Sequence, residues 1–206
     1  LDGIMIRTFS QASVEEFAHC ATIPVINGLT DLLHPCQILS DLFTIKEKKG
    51  TYDGLKVVYV GDGNNIANTW IEAAARLPLE LALACPEGYD PDAQIMAKGM
   101  KESKEGITLY RDPSAAAKNA DILYTDVWAS MGQESENEER KKLFKNYQIN
   151  TKLLNEAKKD AIVMHCLPAH RGEEISADVI DGQHSVVIDQ AENRLHVQKA
   201  ILEILL

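Results

Sequence analysis

Short, continuous apolar runs alternate with amphipathic stretches along most of this chain, and that alternation predicts its elements. Ile4-Met5-Ile6 is strand-like and follows directly on Leu1-Asp2-Gly3. Ser13 to Cys20 reads as a short helix, with Ser13 as N-cap and Glu16 at the capping-box spacing. Asn27-Gly28 marks a turn. Pro35 suits the first position of a longer helix, whose apolar stripe is Ile38, Leu39, Leu42, Phe43 and Ile45; Gly50 stops it after Lys49.

Beyond Leu55 the period changes. Val57–Val60 is an unbroken apolar run, followed by Gly61-Asp62-Gly63-Asn64-Asn65 and a helical pattern through Arg76. Leu79–Ala84, Ile107–Tyr110, Asp121–Tyr124 and Ala161–Met164 read as further strands, and Ser185–Ile188 as a last one. Helical patterns run from Pro113 to Asn119, Thr151 to Lys159 and Arg194 to Leu206. Strands without polar alternation are covered on both faces, so the pattern predicts βαβ units and an α/β fold with a parallel sheet between helices. Charged and amide side chains dominate Gln133–Tyr147, which reads as a mobile excursion above the sheet.

Composition narrows the function classes. The chain has 206 residues and a formal net charge of −10, with no compensating basic stripe, which excludes a nucleic-acid backbone as the expected partner. No apolar run approaches the roughly 20 residues needed to span a bilayer, so no membrane role is expected. Cys20, Cys36, Cys85 and Cys166 show no C-x-x-C spacing, which fits a reducing, cytoplasmic compartment. His165-Cys166-x-x-x-His170 could suggest metal, but two or three ligands from one sharp loop make a poor tetrahedral site without a distant partner.

Candidate chemistry gathers where such a sheet delivers its loops. His165-Cys166-Leu167-Pro168-Ala169-His170-Arg171-Gly172 and Asp126-Val127-Trp128-Ala129-Ser130-Met131-Gly132 each follow a strand-like run. Asp126 is either a turn former or the partner of a substrate ammonium. Ser130 and nearby backbone N–H groups suit a carboxylate, and Cys166 is either a small hydrophobe or a polar participant. Gly61-Asp62-Gly63 invites a dinucleotide-binding reading, but Ile66 stands where the fingerprint needs a third small residue. Asn64-Asn65 at a strand's end suits an amino acid's carboxylate instead. His34 and Gln37 share a helical face, where an imidazole and an amide suit a polarised carbonyl bearing an NH2; His34 could equally be a cap. Arg7 and Arg194 are isolated cations whose forks suit a phosphate or carbamoyl oxygen, or a surface ion pair.

Asp2-Gly3 with Arg7, His34-Pro35-x-Gln37, Gly61-Asp62-Gly63-Asn64-Asn65, Asp126-x-x-x-Ser130-Met131-Gly132, His165-Cys166-Leu167-Pro168 and Ala191-Glu192-Asn193-Arg194 together resemble the ornithine carbamoyltransferases in order and spacing. The resemblance implies a Rossmann-like ornithine-binding domain with a remnant of a first α/β domain. Its expected boundaries are 1–33 for the carbamoyl-phosphate-domain remnant, 34–50 for a linking helix, 51–190 for the ornithine domain and 191–206 for a helix returning to the first domain. It implies transfer of a carbamoyl group from carbamoyl phosphate to L-ornithine, as in arginine biosynthesis and urea-cycle chemistry, without cofactor or metal. Asn65, Asp126, Ser130 and Met131 would hold ornithine. Arg7, His34, Gln37, Cys166, Leu167 and Arg194 would surround carbamoyl phosphate. Cys166, Arg194, Arg7 and His34 would be catalytic, Cys166 as an acceptor of the amine's proton. The family's Ser-x-Arg-Thr-Arg phosphate loop has no counterpart here, so the chain reads as a C-terminal fragment with little turnover of its own, with an apolar patch on its last helix. The parent would be a homotrimer. A nicotinamide-dependent oxidoreductase and a non-catalytic amino-acid-binding module are the alternatives.

Overall fold

The computed structural model describes residues 1–129 and 137–206. A five-stranded, wholly parallel sheet forms its centre, built from β3 (Lys56–Val60), β4 (Glu80–Ala84), β5 (Ile107–Tyr110), β6 (Ile122–Thr125) and β7 (Ile162–His165) in the order β5-β4-β3-β6-β7. Alternate residues of β3 show why the runs are unbroken. Val57 and Tyr59 enter one apolar layer with Trp70, Ile71 and Tyr124, whereas Val58 and Val60 enter the opposite layer with Leu123, Phe144 and Ile149. Both faces are buried, so polar alternation has nowhere to point. Helices α3 (Asn65–Ala74), α4 (Ala93–Glu102), α5 (Pro113–Ala117), α6 (Asn137–Phe144), α7 (Thr151–Leu154) and α8 (Ala177–Ile180) lie between and around the strands.

A smaller unit precedes the sheet. Strands β1 (Ile4–Arg7) and β2 (Val25–Leu29) pair in parallel, with α1 (Gln11–Cys20) crossing between them. The long helix α2 (Pro35–Lys49) then packs against α9 (Val187–Leu205), joining the first and last parts of the described chain. Proline at its start and Gly50 in the left-handed region at φ 79° bound α2 as the sequence predicts.

Several expectations change. The cap of α1 is Ser10, whose hydroxyl accepts from the Ser13 N–H, so the helix begins earlier than Ser13. The buried face of α2 carries Gln37, Ser40, Asp41 and Thr44 beside Ile38 and Ile45, and Leu39 and Phe43 are exposed. Residues 185–188 form no strand: Ser185 makes an isolated bridge to Val163, and α9 begins at Val187, well before Arg194. The helix from Thr151 closes after one turn. Helix α4 has no counterpart in the expected pattern. The stretch 133–147 lies partly outside the described residues, but from Asn137 onward it is helical and tied down, with Arg140, Phe144 and Tyr147 buried. Of the residues expected to form an apolar patch on the last helix, Leu195, Ala200, Ile204 and Leu205 are exposed, with Leu202 beside them, whereas Val197 and Ile201 are half-buried. Among the described residues no helix is long and apolar enough to cross a membrane.

Candidate functional site

Winding reverses between β3 and β6, and the carboxyl ends of β3, β6 and β7 open on the crevice this leaves. Asp126, immediately after β6, stands at its centre. Its Oδ1 accepts from the Cys166 thiol at 2.9 Å and from the Val127 N–H at 2.8 Å, and its Oδ2 accepts from Asn64 Nδ2 at 2.7 Å. The amide of Asn64 is fixed in that sense because its oxygen caps α3, accepting from the Ile66 and Ala67 N–H groups at 3.0 and 3.3 Å. One asparagine therefore starts the helix and braces the carboxylate.

Cys166 follows β7 and is half-buried, with its sulfur resting against this acid. Burial, and then the negative charge of Asp126, push its thiol well above the ordinary range, so sulfur keeps its proton at neutral pH. In this arrangement Asp126 is the acceptor and Cys166 the donor, the reverse of the proton-accepting role expected for the cysteine. The turn that carries Cys166 is held from behind. His165 Nδ1 accepts from the Leu167 N–H at 2.8 Å, which places the ring proton on Nε2, and Nε2 donates to Glu174 Oε1 at 3.1 Å. Both His165 and Glu174 are buried. Leu167 takes a φ of 57°, a left-handed conformation that a leucine adopts only when its surroundings impose it.

Across the crevice stand groups from the α2–α9 side. His34 precedes α2 and donates its backbone N–H to Thr69 Oγ1 at 2.8 Å. Burial, and then Arg194 and Arg7, hold its ring down at about 4, so it is neutral near pH 7 and offers one N–H donor. Its ring resonances in an NMR titration are expected to stay at neutral positions down to about pH 5; a midpoint near the ordinary histidine value would show that water and counter-charge reach it. Arg194 donates to Gln37 Oε1. These residues, with Arg7, Asn65, Asp126, Cys166 and Leu167, line one cavity of about 510 Å³. Asn65 donates to the Thr30 carbonyl at 2.8 Å, tying β2's exit to the start of α3.

Two regions of this chain match descriptions in the carbamoyltransferases: residues 53–205 match the Asp/Orn binding domain of aspartate/ornithine carbamoyltransferase, and residues 1–47 match its carbamoyl-P binding domain. An ornithine carbamoyltransferase of Syntrophus aciditrophicus is 75% identical over the whole chain, which covers 68% of that relative. The chain belongs to the aspartate/ornithine carbamoyltransferase family. Among solved structures it is similar to ornithine carbamoyltransferase from Pyrococcus furiosus, with a TM-score of 0.94 and 54% identity over 98% of this chain and 66% of that one. An anabolic ornithine carbamoyltransferase from Campylobacter jejuni gives a TM-score of 0.94 at 41% identity over 100% of this chain and 69% of that one. The chain thus spans about two thirds of these relatives' length.

Within that family frame, every proposed site residue that the structure describes borders the same cavity. Ser130 and Met131 lie outside the described residues. Sequence reasoning named Asn64 and Asn65 together for the amino acid's carboxylate but overlooked the bracing role of Asn64 and the support of Glu174; the helix-capping position of Asn64 was the available signal for the first. The nicotinamide alternative finds no support. A Cβ on Gly63 would lie 2.2 Å from the Pro91 nitrogen, so chain packing already demands that glycine, and Asn64 already satisfies the N–H groups of α3.

Two groups of potential metal ligands occur among the described residues, Asp126-His165-Cys166 and His170-Glu173-Glu174. In the first, both ring nitrogens of His165 are engaged and the thiol is protonated. In the second, Glu173 pairs with Lys141 at 3.0 Å, and Glu174 Oε1 already accepts from His165 and from the His170 N–H. Neither presents the deprotonated, available donor set that a zinc ion requires.

Proposed function

We propose that the protein carrying this chain transfers the carbamoyl group of carbamoyl phosphate to the side-chain amine of L-ornithine, giving L-citrulline and phosphate. The amine nitrogen attacks the carbamoyl carbon, the bond from that carbon to the phosphate oxygen breaks, and the amine's proton leaves with the phosphate or to solvent. What carries the reading is the opposition of two chemistries across one cavity. An acid with its thiol and amide supports faces a neutral imidazole, an amide and a guanidinium.

In this reading Asp126 receives an ammonium of ornithine and Asn65, Ser130 and Met131 its remaining polar groups. An attacking amine must be deprotonated, and a neutral, buried His34 beside Arg194 supplies donors to the carbonyl oxygen without competing for that proton. Gln37 and the Leu167 backbone take the carbamoyl NH2, and Arg7 with Arg194 neutralises oxygens of the phosphate. The matched spans 1–47 and 53–205 separate a carbamoyl-phosphate part from an ornithine part near residue 50; the finer division into 1–33, a linking segment at 34–50, an ornithine part at 51–190 and a return helix at 191–206 is our own reading. Four free cysteines fit a cytoplasmic setting, and assembly of the parent as a homotrimer is carried over from the resemblance alone.

Titration calorimetry with L-norvaline, which keeps ornithine's α-groups and lacks its reactive amine, tests the reading together with NAD as control. Norvaline binding strengthened by carbamoyl phosphate is the expected result. Heat from NAD with none from norvaline would sink the proposal.

A further inference from the structure

One group at the α2–α9 interface has no place in the chemistry above. Asp41 is completely buried on α2, and among the described residues its hydrogen bonds come from neutral groups alone. Its Oδ1 accepts from Gln37 Nε2 and from Gln190 Nε2, each at 2.8 Å, and its Oδ2 accepts from the Tyr124 hydroxyl at 2.8 Å. Burial pushes the carboxyl up to about 6, so holding it ionised works against folding. A carboxylate in so unfavourable a place invites a reason other than packing.

The reason lies in the two amides. A primary amide has nearly the same shape in either orientation, and only its neighbours decide which end points where. An ionised carboxylate is acceptor-only, so both glutamines must turn their nitrogens toward Asp41. Their oxygens are thereby forced outward. Gln37 Oε1 faces Arg194 and accepts from its guanidinium. Gln190 Oε1 faces β7 and accepts from the His165 N–H at 2.9 Å, one residue before Cys166. Gln37 and Gln190 are themselves almost fully buried, leaving no water to correct a reversed amide. A reversal would set N–H against guanidinium on one side and N–H against N–H on the other.

We propose that Asp41 is a positioning residue whose carboxylate fixes the direction of the Gln37 and Gln190 amides and so aims Arg194 and the Cys166 turn at the two sides of the cavity. The proposal rests on the functional reading above, since it assigns Arg194 and Gln37 to carbamoyl phosphate. It also explains why the buried face of α2 is polar. The fold accepts an unfavourable charge because one acceptor can polarise two amides at once.

A double-mutant cycle in the full-length protein tests it. Asp41→Leu keeps the volume and removes the acceptor; Gln37→Met removes the amide through which Asp41 acts on Arg194. Asp41→Leu alone is expected to raise KM for carbamoyl phosphate about tenfold or more, the loss of one hydrogen bond to a charged group. In the Gln37→Met background the same change is expected to add less than about threefold, because no amide remains to be aimed. Asp41→Asn, whose oxygen can take the Oδ1 position while its N–H2 donates to Tyr124, is expected to stay within about threefold of the parent. Equal factors in both backgrounds would mean Asp41 acts only through general structure, and would overturn the proposal.

If Asp41→Leu fails to fold, Gln190→Met carries the test on the other arm. It is expected to raise KM for both substrates, because the turn it holds carries Cys166 against Asp126 and the Leu167 backbone toward the carbamoyl group; no change in either KM would overturn the proposal. Carbamoyl phosphate binding measured by calorimetry beside turnover separates the two levels. A protein that binds carbamoyl phosphate but makes no citrulline sinks the functional reading, and the cycle is then read on binding constants.

Discussion

Asp126→Asn is expected to lower kcat/KM for ornithine about 10²- to 10³-fold, the penalty for removing one partner of a desolvated charge contact. Three donors converge on this carboxylate: the Cys166 thiol, the Val127 N–H and the Asn64 amide. An asparagine can accept on one side only, so its own N–H2 would meet a donor on the other. The substitution therefore removes the charge and disturbs the group that presents it. A second readout separates this from misfolding. The charge of Asp126 helps to hold the Cys166 thiol above its ordinary range, so D126N is expected to lower that pKa and speed alkylation of Cys166 at mildly alkaline pH. Unchanged alkylation, in a variant with native circular dichroism and lost activity, would contradict the assigned geometry.

The second large effect lies behind the site. Glu174→Ala is expected to destabilise the protein by about 3 kcal/mol, because Glu174 Oε1 accepts one buried and one part-buried hydrogen bond and bonds to charged groups contribute about 1.5–3 kcal/mol each. Those bonds come from His165 Nε2 at 3.1 Å and the His170 N–H at 2.6 Å. Without them the His165 ring is free to turn, and the Leu167 N–H loses the acceptor that supports its left-handed backbone. Activity is thus expected to fall further than the folded fraction does. Glu174→Gln keeps an acceptor oxygen and is expected to restore most of both losses. Urea unfolding beside steady-state kinetics measures the pair; an alanine variant within about 1 kcal/mol of the parent would show that the His165 bonds contribute little.

How much of this could be read from the chain depends on which physical signal each element left. The strands were legible because a sheet covered on both faces removes every polar position, as in Val57-Val58-Tyr59-Val60. Helix α2 was legible from its proline and Gly50. Its buried face was not, since Gln37, Asp41 and Thr44 are polar by type and are buried only through partners on α9 and β6 that lie far away in sequence. Val186 and Val187 misled for the opposite reason: two β-branched residues look like a strand, yet α9 starts there because Val187 packs under the sheet while Gln190 and Asn193, one turn apart, reach α2 and β7. In α6 the charged composition concealed Arg140, which is buried because it pairs with Asp62 at 2.7 Å and lies over the Tyr89 ring. At the site, the motif residues were found by resemblance and by their positions after strands. Asn64 was named for a ligand's carboxylate instead of for bracing Asp126, and Glu174 was missed, because their work is done on other side chains rather than on the cavity.

One consequence follows from the proton kept on sulfur at Cys166. In the proposed reaction an activated carbonyl compound arrives next to a cysteine. A thiolate there would be the strongest nucleophile in reach and would be acylated in place of the amine. Resting a carboxylate against that sulfur disarms it, so the enzyme can crowd a reactive carbon beside cysteine without poisoning itself.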